Sequence, residues 1–319
     1  MAKVAVQWSA DTYVINQSLV LRINICGENR HLRQARNRCR QANPKIMRKY
    51  ILITLLLFYN TSFCQVVVNG KIKSNDGKEL QFVNIGIKNK NIGTVSDENG
   101  KFSLKIDNSK TNEILTFSYV GFEELNIKIE DVLKSNNKEF ILTQKTIDLS
   151  DVIIVATKAT ELEIGTKSYS SMVAGSVRAN NDKNKDIQEF AKKIKLKKPS
   201  EILNVNINLF NVNVDSTRFR INFYNIKDNL PFEKINTENI ILKQKVENGW
   251  NKFDLTEYNL TFANPLFITI EYIPEKLDEK EPFRYSGQLF GESITRSSSL
   301  GTWNTKKGVT MAMFVTVKQ

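Results

Sequence analysis

The sequence predicts an all-β protein made of two successive β-sandwiches. Three observations predict it. Residues 66–147 and 201–319 alternate apolar and polar side chains with a period of two. Short clusters of Gly, Asn, Asp and Ser punctuate that alternation at hairpin spacing. The chain of 319 residues, 41% apolar and 25% charged, is long enough for two domains and apolar enough for each to hold a core.

In the first region, Val66, Val67 and Val68 run into Gly70 and Ile72 as an opening strand. Ser74-Asn75-Asp76-Gly77 is a turn whose glycine supplies positive φ. Phe82, Val83, Ile85 and Ile87 make a second strand and Ile92-Gly93-Thr94-Val95 a third. Asp97-Glu98-Asn99-Gly100 is a hairpin turn of the Asn-Gly kind. Phe102, Leu104 and Ile106 alternate on a fourth strand, Leu115, Phe117 and Tyr119 on a fifth, Leu125, Ile127 and Ile129 on a sixth, and Phe140 and Leu142 mark a seventh. Seven short strands with regular turns predict a sandwich. Asp97, Glu98 and Asn99 offer calcium-type oxygens, but the hairpin turn accounts for the same residues without a metal.

The residues Gly93-Thr94-Val95-Ser96-Asp97-Glu98-Asn99-Gly100-Lys101-Phe102-Ser103-Leu104, followed by Phe117-Ser118-Tyr119-Val120-Gly121-Phe122, resemble the carboxypeptidase regulatory-like domain over about 80 residues. The resemblance implies a transthyretin-like β-sandwich of a kind common in exported proteins of Bacteroidetes-type bacteria, often ahead of outer-membrane receptors. It implies no peptidase activity, because the zinc site of those enzymes belongs to another domain. Many members carry Leu-Pro-Gly-Val where this chain has Leu80-Gln81-Phe82-Val83, a change the fold is expected to survive. Ile147 through Val155 resembles the stretch that follows this domain in TonB-dependent receptors. Only 164 residues remain after it, too few for a plug and a barrel of about 22 strands at about ten residues each, so a final strand or strand extension is expected instead.

Residues 148–200 read as that strand extension and then a polar linker, with Asn180 to Lys185 at its most polar point. Within it, Ile187, Phe190 and Ile194 have the spacing of a short amphipathic helix. The lysines from Lys192 to Lys198 read as a solvated face rather than a membrane- or polysaccharide-binding patch. Residues 201–319 then resume alternation. Leu203 to Leu209, Phe219 to Phe223, Ile240 and Leu242, Trp250 to Leu255, Leu266 to Tyr272, Leu289-Phe290 and Met311 to Val317 predict about eight strands of a jelly-roll-like sandwich. This region resembles, more loosely, the C-terminal sandwich that accompanies the regulatory-like domain in flavobacterial proteins, on Phe219 to Tyr224, Gly249-Trp250 with Asp254-Leu255, and Gly301-Thr302-Trp303.

The N-terminal residues set the compartment. Met47-Arg48-Lys49 and the apolar run Tyr50 to Tyr59 form a secretory signal over 47–64, with Ser62 at −3, Cys64 at −1 and Gln65 as the first mature residue. The apolar run is half of what a membrane-spanning helix needs. Residues 1–46 are expected to be a non-native upstream extension with Met47 as the true start. Residues 1–64 hold ten basic and two acidic side chains, +8 of the net +12, so the remainder is too weakly basic to bind nucleic acid.

His31, Cys26, Cys39 and Cys64 are the histidine and cysteines of the chain, and all precede the expected mature residue. The mature chain therefore has no Ser-His-Asp triad, thiol nucleophile, disulfide, or zinc site of His or Cys. Carboxylate chemistry survives that exclusion. Glu271 lies in a strong strand and Glu275, Asp278, Glu279 and Glu281 follow in a polar loop, yet no acidic pair is picked out by spacing. No enzyme activity and no cofactor are expected. Trp250, Tyr285, Phe290 and Trp303 are the candidate ligand-binding residues, as platforms for sugar rings, with Arg296 and Ser297-Ser298-Ser299 supplying polar groups. The expected role is an exported binding or structural module of the cell envelope, in the periplasm, on the outer membrane or at the surface. Its partner is an envelope glycan or an outer-membrane protein. The alternatives are an accessory of a TonB-dependent system or a carboxylate-based envelope hydrolase.

Overall fold

A computed structural model describes residues 65–145, 160–177, 186–274 and 281–319. The signal segment 47–64, the upstream residues 1–46, the Ile147–Val155 run, the Asn180–Lys185 stretch and Glu275, Asp278 and Glu279 lie outside the described residues. The chain is all-β, as its alternation predicts. Among the described residues no helix is long and apolar enough to cross a membrane.

The first sandwich contains β1 (Gln65–Ser74), β2 (Asn84–Ile87), β3 (Ile92–Val95), β4 (Lys101–Asp107), β5 (Ile114–Ser118), β6 (Leu125–Lys128) and β7 (Glu139–Leu142). One sheet has the order β4-β1-β7 and the other β3-β2-β5-β6. Alternation decides which side chains meet between them. Val68, Ile72, Leu104 and Phe140 from the first sheet pack on Ile85, Leu115 and Phe117 from the second. Phe117 stacks on Phe140 with centroids 4.6 Å apart. Asp97 accepts hydrogen bonds from the Asn99 and Lys101 amides, so its carboxylate caps the β3–β4 turn. A short helix, α1 (Ile129–Lys134), replaces the end of the expected sixth strand and buries Ile129 and Val132.

The second sandwich begins earlier than the polar composition implies. Its strands are β8 (Glu161–Gly165), β9 (Ser170–Ser176), β10 (Gln188–Ile194), β11 (Ser200–Phe210), β12 (Ser216–Lys227), β13 (Leu230–Lys234), β14 (Ile240–Lys245), β15 (Gly249–Asp254), β16 (Thr261–Phe262), β17 (Leu266–Ile273), β18 (Arg284–Arg296), β19 (Asn304–Met311) and β20 (Met313–Lys318). Three of these precede residue 201. The stretch expected to be an amphipathic helix is β10, paired on both edges by β17 and β18. Phe190 and Ile194 share a strand face as readily as a helix face, and the sheet on either side decides between them.

All thirteen strands form one hydrogen-bonded sheet that folds over its own core. The long strand β18 makes the fold possible, because its start pairs with β11 and its end with β10. One leaf contributes Phe219, Ile221, Phe223, Ile268 and Ile270, and the other Val205, Ile207, Phe253, Met313 and Val315. Phe219 meets Phe253 across the gap at 5.0 Å, edge to face.

Candidate functional site

Several polar positions of β12, β17, β10 and β18 are buried rather than solvated. Alternation puts Phe219, Ile221 and Phe223 into the core and turns Arg220, Asn222 and Tyr224 to the opposite face, yet these three are as buried as the core. In register across the four strands, Arg220 lies opposite Glu271, Glu271 opposite Glu189, and Glu189 opposite Arg296. The result is a row of two carboxylates side by side, bracketed by two guanidinium groups. Both glutamates are 0% exposed.

Neighbouring like charges in a dry interface are costly, and the flanking groups offset this. Arg220 Nη1 donates to both oxygens of Glu271 at 3.1 and 3.3 Å. Arg296 Nε donates to Glu189 at 2.5 Å. Asn222 Nδ2 donates to Glu189 at 3.0 Å and reaches Glu271 at 3.4 Å. Thr269 and Tyr224 hydroxyls also donate to Glu189, and Arg296 donates to the Tyr224 hydroxyl at 2.9 Å. Burial alone would raise the Glu189 pKa. The Arg296 guanidinium, with Lys234 and the Thr269 hydroxyl, outweighs burial and holds it below the ordinary carboxylate range. Lys234 at the rim is lowered to about 8, by burial and then by Arg220.

The first sandwich covers this row and joins it. Arg220 donates to Asn84 Oδ1 at 2.8 Å and to the Phe82 carbonyl. Phe82 stands at φ +58, a left-handed conformation that side chains beyond Gly adopt at a cost of roughly 1–2 kcal/mol. This is the position where the resemblance leads one to expect glycine. Here the Arg218 guanidinium lies 4.8 Å from the Phe82 ring centroid and also pairs with Glu98. Beyond it, the β2–β3 hairpin touches the loop after β18 backbone to backbone. A Cβ added at Gly93 would lie 2.5 Å from the Ser299 carbonyl oxygen. The Leu300 carbonyl accepts from Asn89 N at 3.0 Å, and Asn91 Oδ1 accepts from Thr302 N at 2.9 Å.

Beside the row a cleft of about 850 Å³ opens between the sandwiches. The β3–β4 turn, including Asp97, Glu98 and Asn99, forms one wall, and Arg218, Lys243 and Ile273 the other. Asp186 sits at its base with its carboxylate accepting from Ser299 N at 3.0 Å. Burial raises the Asp186 pKa to about 6, against the lowering effect of the Ser299 hydrogen bonds.

The four aromatic candidates do not form one platform. Tyr285 is 1% exposed and packs edge to face on Phe190 at 4.6 Å, so it fills the core and offers no face to a ligand. Phe290 is 85% exposed on a β-bulge of β18, at φ +66. Trp303 lies under the Arg296 guanidinium at 4.7 Å and against Tyr224, at the edge of the docking face. Ser298 and Ser299 of the neighbouring serine run are buried in the same loop. Trp250, on β15, packs against Phe314 and Tyr169. Among the described residues no ring contact joins any two of the four. Glu281 pairs with Arg284 at 2.7 Å. The acidic pair that sequence spacing does not pick out is Glu189–Glu271, 82 residues apart and joined only by strand pairing.

Comparison with known proteins agrees with the fold of the first sandwich. Residues 68–154 match the model of the CarboxypepD_reg-like domain, which has a transthyretin-like fold. No curated protein matches the chain. Among solved structures, the VP2 subviral particle of infectious bursal disease virus is similar at 9% identity and a TM-score of 0.23. The Gx strain of the same virus is similar at 11% identity and a TM-score of 0.19. In each case 80% of this chain is covered, and it spans 63% of the viral chain. At those scores the likeness carries nothing further.

Proposed function

We propose that this chain, whose first sandwich is a CarboxypepD_reg-like domain, is an exported, non-catalytic binding and structural module of a bacterial cell envelope. The observation that carries the proposal is the buried row Arg220–Glu271–Glu189–Arg296. It supports the reading in two ways. Each carboxylate is held by an arginine and kept from water, the opposite of a general acid and a solvated partner. The same row ties the two sandwiches into one body, so the cleft of about 850 Å³ between them has walls of fixed spacing. Ligand sites favour such domain junctions.

Export rests on the Met47–Cys64 segment, and the envelope on the company the domain keeps. Residues 65–319, without His or Cys, have no imidazole or thiol for catalysis. The test has two arms. Purified protein is passed over immobilised envelope glycans and used to capture envelope proteins, and the native N-terminus is read by mass spectrometry. Saturable retention and a peptide beginning at Gln65 are expected. Turnover of an envelope polysaccharide, lost in Glu189→Gln or Glu271→Gln while folding is retained, would overturn the proposal.

A further inference from the structure

The charged row faces the first sandwich, and the other leaf carries a second polar face. On β11, Ile202, Val205, Ile207 and Leu209 enter the core, which leaves Asn204, Asn206 and Asn208 on the outside. Their neighbours follow from register. Asn208 lies opposite Trp250, and Asn206 lies between Lys252 and Phe314. Trp250 and Phe314 meet edge to face at 4.9 Å, and Tyr169 closes on Trp250 at 6.1 Å. Trp250 and Phe314 are half-buried and Tyr169 is 53% exposed, so the aromatic cluster sits on the surface over a stripe of amides.

Two features distinguish this cluster from a hydrophobic cap. Trp250 forms part of the wall of a groove of about 620 Å³, within the size range of small-ligand sites. Asn251 fixes that wall, because its side-chain amide bonds the Glu247 amide and carbonyl and the Gly249 carbonyl, locking the β14–β15 turn. Beside the aromatic cluster, Asn208 is 1% exposed, its Oδ1 accepts from Ser286, and its Nδ2 has no partner among the described residues. A buried donor left unpaired costs about 1–3 kcal/mol.

The charge of the groove narrows the ligand. Asp215 and Glu247 on its wall are balanced by Lys245 and Lys252, so it has no net attraction for an anion. Gln244 adds a neutral polar group. An aromatic face bordered by an amide and balanced charges suits a ring that is apolar on its faces and hydroxylated at its edge. We propose that the Trp250 groove is a binding site for neutral pyranose oligosaccharides, with Trp250 as the stacking platform and Gln244 on the same wall. The inference rests on the reading of the chain as a binding module and names its ligand class.

The test is isothermal titration of the full chain with hexasaccharides of neutral hexoses and of N-acetylhexosamine, and with uronate oligomers. At least one neutral oligosaccharide is expected to bind. Trp250→Ala should weaken it about tenfold, the scale of one aromatic contact. Gln244→Ala, at the groove wall, should weaken it several-fold without touching the core, and covers the case in which Trp250→Ala fails to fold. Phe290→Ala should leave affinity unchanged. Unchanged affinity in both groove variants would overturn the site while leaving the binding module standing. Binding of uronates alone would overturn the ligand class. Absence of any oligosaccharide binding would overturn the inference, and capture of an envelope protein in the same preparation would show that the module reading survives it.

Discussion

Replacing Arg220 with methionine should be among the most damaging single changes available to this protein. Arg220 is 1% exposed, and it bridges Glu271 at 3.1 Å in one sandwich to Asn84 Oδ1 and the Phe82 carbonyl in the other. Methionine keeps the packed stem but strands the Glu271 carboxylate, which among the described residues retains only the bond from Asn222 Nδ2 at 3.4 Å. Removing one partner of a buried pair costs about 3–5 kcal/mol. At about 2–4 °C per kcal/mol for a unit of this size, the melting temperature should fall by roughly 6–20 °C. The docking bonds go with it, so the calorimetric transition should broaden or split. Arg220→Met/Glu271→Leu removes both charges and should recover most of the loss, because apolar replacement of a whole buried pair is close to neutral. Differential scanning calorimetry and urea titration of the three proteins decide the matter. A single variant within about 1 kcal/mol of wild type would refute the argument that this row is sealed and shared.

Other predictions follow from the same interface. Gly93→Ala would force a Cβ to 2.5 Å from the Ser299 carbonyl oxygen and 2.9 Å from the Ile85 carbonyl oxygen, so the hairpin must lift. Chemical denaturation should show a loss of about 1–3 kcal/mol. Asp186 has its pKa raised to about 6 from 3.8, so the folded protein holds the proton more tightly than the unfolded chain. Its contribution is fully present below about pH 4 and lost as pH rises through about 6. Asp186→Asn should therefore gain up to about 3 kcal/mol over wild type at pH 8 and no advantage at pH 4, read as the difference between the two stability–pH curves. Glu189 acts in the opposite sense, because its pKa is held low and its contribution is lost on acidification. Asp186→Asn leaves that loss in both curves. Phe290→Ala, at an 85% exposed position, should leave the melting temperature within a degree or two.

The first sandwich was legible because its strands are short, bury one face each and are separated by turn residues with defined backbone needs. Val68–Ile72, Ile85–Ile87 and Phe102–Ile106 all appear as strands where alternation places them. The docking row was not legible for the same reason. Arg220, Asn222 and Tyr224 alternate with Phe219, Ile221 and Phe223, and a polar side of an alternating strand reads as solvent-facing. Nothing local announces that a second sandwich will cover it. The partnership of Glu189 and Glu271 depends on strand pairing 82 residues apart, which spacing does not encode. Phe82 is the one local signal that could have pointed there, since an aromatic residue in a glycine position implies something holding it. The polarity of residues 156–200 concealed β8, β9 and β10 because edge strands and strands with a buried polar face lack an apolar run. Tyr285 was taken by the core because β18 crosses from leaf to leaf, a bend that alternation does not show.

Native-state hydrogen exchange across the docking face tests most directly whether the two sandwiches are one body. The account predicts that the amides of β2, from Asn84 to Ile87, and those of β12, from Arg220 to Phe223, open with a common free energy close to that of global unfolding. Exchange of the β2 amides through a low-energy opening while β12 stays protected would show two sandwiches that merely touch, and would contradict it.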